Sequence, residues 1–164
     1  MSSHGQAGTT TGGGAPLVSA HFVNNVLAAA ASYIEDDPDL ARDVLAELGQ
    51  FLSYRMREDP APVTASQELA HTATYLRLQQ ARFPDRITVQ LPPAEALPGR
   101  RMAPASIQGP IAEALGRRLR ERAGACILTV RPLAPGLEAE LTGAAGEDPE
   151  RVQIALHATQ EVVA

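Results

Sequence analysis

His21 and Asn25 stand four residues apart in the run HFVNNVLAAA. Four residues make about one helical turn, so the two side chains share a face if this segment is helical. An imidazole nitrogen is a competent nucleophile toward phosphorus at neutral pH, because its ordinary pKa leaves the ring largely unprotonated there. His21 is therefore the candidate phosphoacceptor. Taken alone, a histidine on an apolar helix is equally a packed or solvated residue, and the rest of the chain must supply the context.

The elements that would position it follow from periodicity. A first helix is expected over Leu17–Ile34, with Val18, Phe22, Val26, Ala29 and Tyr33 as its apolar stripe. Asp37 is placed to cap a second helix that has Pro38 at its first position, Leu40, Val44, Leu48, Phe51 and Leu52 on one face, and its end near Arg57. The short connection makes the two helices antiparallel neighbours. Residues 58–63 read as a loop. Thr64 with Gln67 forms a capping box opening a third helix, faced by Leu69, Ala73, Leu76 and Phe83 and closed by Pro84.

The second half changes period. Residues 86–91 alternate as a half-buried strand, and 92–99 form a loop. A fourth helix is expected over Pro104–Arg122, with Gly109 and Pro110 weakening its first turns. Its basic end, GRRLRER, reads as a solvated face with cations favoured at a helix C-terminus rather than as a phosphate site. Strands follow at 126–130 and 137–141. RVQIALHA reads as a last strand, although Gln153–Val163 also fits a helix. Three helices, then strand, helix and three strands, make an α+β chain: a helical hairpin module followed by a small α/β layer.

Bulk composition narrows the class. The 164 residues are 45% hydrophobic but only 4% aromatic, with no Trp, so the core must be aliphatic. A net charge of −5 argues against a nucleic-acid surface. The single cysteine, Cys126, excludes an internal disulfide and reads as a small core residue. His71 and His157 have no partner at metal-ligand spacing, so no metal site is expected. No apolar run approaches bilayer length and no signal peptide is legible, which makes a cytoplasmic protein without a membrane span the expectation. Residues 1–16, rich in Gly, Ser and Thr, read as a disordered tail.

Together these segments resemble the LytS-type sensor histidine kinases, which carry an internal histidine-kinase region ahead of a GHKL-type ATPase domain. The family's phosphoacceptor motif runs roughly P-H-F-L-F-N; here Ala20, His21, Phe22, Val23, Asn24 and Asn25 occupy it. Tyr54 keeps the tyrosine of the family's Arg-Tyr pair, with Ser53 in place of the arginine. Glu68, Leu69, Tyr75, Leu76, Leu78, Gln79, Arg82, Phe83, Asp85, Arg86 and Ile87 fit a third block at the family's spacing. The resemblance implies a helical dimerisation and phosphoacceptor region over 17–83, with Asn25 supporting the imidazole. It implies a shortened, Bergerat-like ATPase domain over 84–164. Its partners would be a second copy of the chain, giving a four-helix bundle, and a response regulator or sensor kinase.

The same resemblance exposes departures at the nucleotide site. Of the family's N box, Pro104, Gln108 and Ala114 remain, while Ala112 and Glu113 replace the glutamate and the metal-binding asparagine. Thr142 stands where an adenine-reading aspartate is expected, and TGAAGEDPE leaves no room for a phosphate-cradling lid. Gln108, Glu113 and Thr142 are thus the vestigial candidates for ATP and magnesium, and no cofactor is expected unless that remnant still binds. Residues Arg82, Asp85 and Glu68 also fit plain surface roles, and Tyr75 a packing one. Three functions stay open: an active kinase, a phosphotransferase resembling the sporulation phosphotransferase, and a non-catalytic interaction module. The phosphorelay role with impaired ATP use is the expectation.

Overall fold

The structure is a computed structural model that describes residues 19–57, 61–143 and 147–156. Helix α1 (Ala20–Tyr33) opens where Ser19 accepts the Phe22 N–H at 3.1 Å. Asp37 caps α2 (Pro38–Arg55) through the Leu40 N–H, with Pro38 in the first turn as the sequence indicates. Strand β1 (Val63–Thr64) leads into α3 (Ala65–Arg82), which starts on the expected reciprocal box of Thr64 and Gln67. Then come β2 (Ile87–Gln90), a 3-10 turn at Ala94–Ala96, β3 (Arg101–Met102) and α4 (Gln108–Glu121). Strands β4 (Cys126–Leu133), β5 (Gly136–Thr142) and β6 (Glu150–Ile154) complete the described chain.

The mixed sheet has the order β2-β4-β5-β6. β2 and β4 are parallel because α4 carries the chain between them, and the remaining neighbours are antiparallel. A small antiparallel pair, β1 with β3, sets Val63 opposite Met102. One hydrophobic cluster runs from Val26, Val44 and Phe51 in the hairpin through Leu76 and Ile111 to Leu128 and Leu141 in the sheet. α3 is its spine: it packs on α1, α2, α4 and β2, and its Gln80 amide donates to the Ile87 carbonyl at 3.1 Å.

Four readings change. α4 begins at Gln108 rather than Pro104, because Ala105 lies in the left-handed region (φ 67°) and breaks the helical run; Pro110 then falls in the first turn, where its missing N–H is not needed. The pair β1–β3 is two residues long on each side, too short to show a period. Leu40 is exposed and Ala41 takes the buried position. Glu68, read as a surface residue, is wholly buried. Cys126 is buried as expected, and of the last segment Glu150–Ile154 is a strand. The tail, Leu17–Val18, residues 58–60 and His157 onward lie outside the described residues.

Candidate functional site

His21 sits in the first turn of α1 with its imidazole exposed. Its Nε2 lies 3.0 Å from the Asn25 Nδ2. The amide donates, so Nε2 carries the lone pair and the ring proton belongs on Nδ1. That is the tautomer an Nε2 nucleophile needs, and the same bond holds the lone pair until Asn25 lets go. The neighbouring Phe22 turns inward, its ring 5.4 Å from Phe51 and 5.6 Å from Tyr75. An aromatic anchor one residue along the chain thus fixes where His21 emerges.

The α3 block supplies the wall opposite. Tyr75, Gln79 and Arg82 follow one another along the helix: Gln79 Nε2 donates to the Tyr75 hydroxyl at 2.6 Å, and Arg82 Nη1 donates to Gln79 Oε1 at 2.9 Å. The Arg82 guanidinium lies over the rings of Phe22 (5.4 Å) and Phe83 (5.0 Å). Arg82 makes no surface ion pair with Asp85. His21, Arg55, Arg82, Gln108 and Arg120 are among the residues around a cleft of about 620 Å³ between the hairpin, α3 and α4.

Behind that cleft lies a second polar chain. Tyr54 donates to Glu68 Oε2 at 2.7 Å, and Glu68 Oε1 accepts the Gln108 N–H at 3.3 Å. Burial, reinforced by the Glu68 carboxylate, pushes the Tyr54 hydroxyl well above the usual phenol range, so it stays a donor. The His71 ring stacks on Tyr54 at 3.4 Å between centroids. Burial lowers the His71 pKa, against an opposing pull from Glu68.

The three nucleotide-site candidates do not converge. Gln108 is buried at the start of α4. Glu113, with 80% of its side chain exposed, faces solvent beside Arg117 at 3.8 Å. Along β5, Leu137, Ala139 and Leu141 face the core, so by alternation Thr142 lies on the opposite face of the sheet, paired across from Ile127. Residues 143–149 join β5 to β6. Arg118, buried rather than solvated, reaches Glu147 at 2.5 Å, and Arg122 reaches the same carboxylate at 3.3 Å. The Arg118–Glu147 pair lies directly against Gly143, where any Cβ would collide with it.

A histidine kinase family profile matches residues 17–87. Residues 17–87 are a histidine kinase region of LytS type. The sensor histidine kinase YpdA of Escherichia coli is 34% identical over 73 residues, 44% of this chain and 13% of that protein. The sensor protein LytS of Staphylococcus haemolyticus is 35% identical over 74 residues, 44% of this chain and 13% of its own length. LytS of Oceanobacillus iheyensis is 28% identical over 114 residues, 69% of this chain and 20% of its length. The chain thus spans a fifth or less of the length of these relatives. Among the described residues no helix is long and apolar enough to cross a membrane.

Within the histidine kinase region, Glu68, Thr72, Tyr75 and Gln79 form a polar row at helical spacing on the buried side of α3, beside the apolar Leu69, Leu76 and Leu78. Those positions share a face in any helix, and that stripe was the signal that Glu68 points inward. Arg120 belongs to the basic run GRRLRER, read from sequence as a solvated face; that it lines the cleft depends on how α4 docks.

Proposed function

We propose that this chain is a phosphorelay protein of two-component signalling, in which His21 accepts and passes on a phosphoryl group without using ATP. The observation that carries this reading is the exposed His21 imidazole, held in one tautomer by Asn25 on a helix anchored from behind by Phe22. When Asn25 releases Nε2, its lone pair forms the N–P bond to an acyl phosphate. The acyl P–O bond breaks and its electron pair leaves on the donor's carboxylate. The ring keeps its Nδ1 proton, so the step needs no separate base. The reverse step delivers the group to an aspartate of a response regulator.

Residues 17–83 then act as the dimerisation and phosphoacceptor region. Leu27, Ile34, Leu40 and Leu45 expose apolar surface on the hairpin, which suits a second copy and a four-helix bundle. Residues 84–164 then correspond to the shortened Bergerat-like ATPase domain that the resemblance implies. The exposure of Glu113, the position of Thr142 on the sheet face away from the core and the Arg118–Glu147 pair against Gly143 support its having no working ATP site. One observation favours a second reading, a non-catalytic interaction module: in this structure Asn25 occupies the nucleophilic nitrogen.

The test is to incubate the full chain with acetyl phosphate or a phosphorylated receiver domain and assay acid-labile phosphate. Label that vanishes in His21→Ala supports phosphotransfer, whereas an unlabelled but dimeric chain supports the module. ATP with magnesium should produce no thermal shift; a shift would restore the kinase reading.

A further inference from the structure

The cleft beside His21 carries a charge pattern that a phosphoacceptor histidine does not require. Arg82 at the end of α3 and Arg120 on α4 line it together, with Arg55 in the wall, and no aspartate or glutamate is among its lining residues. On the same helix Arg117 pairs with Glu113 and Glu150, and Arg118 and its neighbour Arg122 pair with Glu147. Among the described residues, no carboxylate comes within ion-pair distance of Arg82 or Arg120. Arg82 is half-buried, and burial depresses its pKa. Gln108, which also lines the cleft, is 6% exposed, and its buried Oε1 meets no hydrogen-bond donor.

We propose that this cleft is a phosphoryl-anion subsite, in which Arg82 and Arg120 hold the oxygens of an acyl phosphate and present its phosphorus to His21. The planar guanidinium fork suits phosphate oxygens, and both arginines reach the cleft from rigid helices. Phe22 joins the two halves of the device: Arg82 lies on its ring, and His21 precedes it in the chain. The proposal rests on the phosphorelay reading for the role of His21, but the anion site itself does not. The acyl phosphate has two sources, a partner's aspartyl phosphate or a small phosphodonor that diffuses in.

The test titrates the full chain with inorganic phosphate at constant ionic strength, following arginine side-chain resonances by NMR. Phosphate should perturb Arg82 and Arg120, and Arg120→Gln should weaken binding roughly tenfold or more, the loss of one charge-assisted contact. Arg120 is exposed, so this variant keeps its fold even if Arg82→Lys, which disturbs the packing on Phe22, does not. Unperturbed arginines, or equal affinity in Arg120→Gln, would overturn the subsite. Phosphate binding without any His21 labelling keeps the subsite and removes the relay. Labelling of His21 at the same rate in the parent and in Arg120→Gln, with no phosphate binding by the parent, removes the subsite and keeps the relay. Slower labelling of Arg120→Gln from acetyl phosphate alone assigns the site to a small donor; slower labelling from the phosphorylated receiver assigns it to the partner.

Discussion

The carboxylate of Glu68 accepts the backbone N–H of Gln108, forty residues on, and so caps a helix to which it does not belong. α4 has no side-chain cap of its own, since Ile107 precedes it. A buried anion at a helix N-terminus meets both the unpaired N–H groups and the positive end of the helix dipole. The hairpin region and the sheet-side helix are therefore joined through one side chain, which Tyr54 holds from the other side at 2.7 Å.

Tyr54→Phe should leave Glu68 short of a donor in a dry site and cost about 1–3 kcal/mol of stability. Glu68→Ala should cost more, because it strands the Tyr54 hydroxyl and the Gln108 N–H together and leaves a void. Urea denaturation of the two single variants and the double variant checks this. Additive losses would mean that the pair is not coupled.

His71 gives stability a pH dependence near neutrality. Its pKa is lowered from 6.5 by burial, so the folded chain binds fewer protons there than the unfolded one. The contribution is complete above the unfolded value and is lost as pH falls below it. Thermal melts from pH 7.5 to 5.5 should show a steeper decline for the parent chain than for His71→Gln. Parallel curves would contradict the assignment.

Glu147 acts at a lower pH. The Arg118 hydrogen bond, then its charge and that of Arg122, hold the Glu147 carboxyl below its usual value of 4.5. Its stabilisation is present above the unfolded value and disappears as pH falls through the folded one. Glu147→Gln should therefore melt earlier than the parent at pH 6, with the gap closing toward pH 3.

The exposed hairpin leucines make a prediction about assembly. Leu27, 44% exposed, and Leu45, 46% exposed, contribute little to the protomer's own core. Leu27→Glu should leave the helical circular dichroism intact and shift the sedimenting species from dimer to monomer. An unchanged mass would remove the four-helix bundle.

Cys126 tests the packing of the sheet. At 2% exposure, with burial raising its pKa, the thiol should react with a disulfide reagent only as fast as the chain opens. Fast labelling in native buffer would show that β4 is not covered.

Much of this organisation is local and was legible in the residues. Asp37-Pro38 and the Thr64/Gln67 box fix two helix starts through hydrogen bonds made within three residues, and alternation at Cys126–Val130 and Leu137–Leu141 fixes two strands. The His21–Asn25 bond is likewise a one-turn relationship that any helix there would make. What needed the tertiary structure spans long sequence separations. The left-handed Ala105, which delays α4, is invisible to periodicity. So are the two-residue β1–β3 ladder, the inward turn of Glu68 toward a helix N-terminus, and the seating of Arg118 and Glu147 against Gly143. The sharing of one cleft by His21, Arg82 and Arg120 is of the same kind. Sequence chose the chemistry each helix carries, through side-chain type and spacing; docking chose which of those groups face one another, because only packing brings α3 and α4 to a shared cleft.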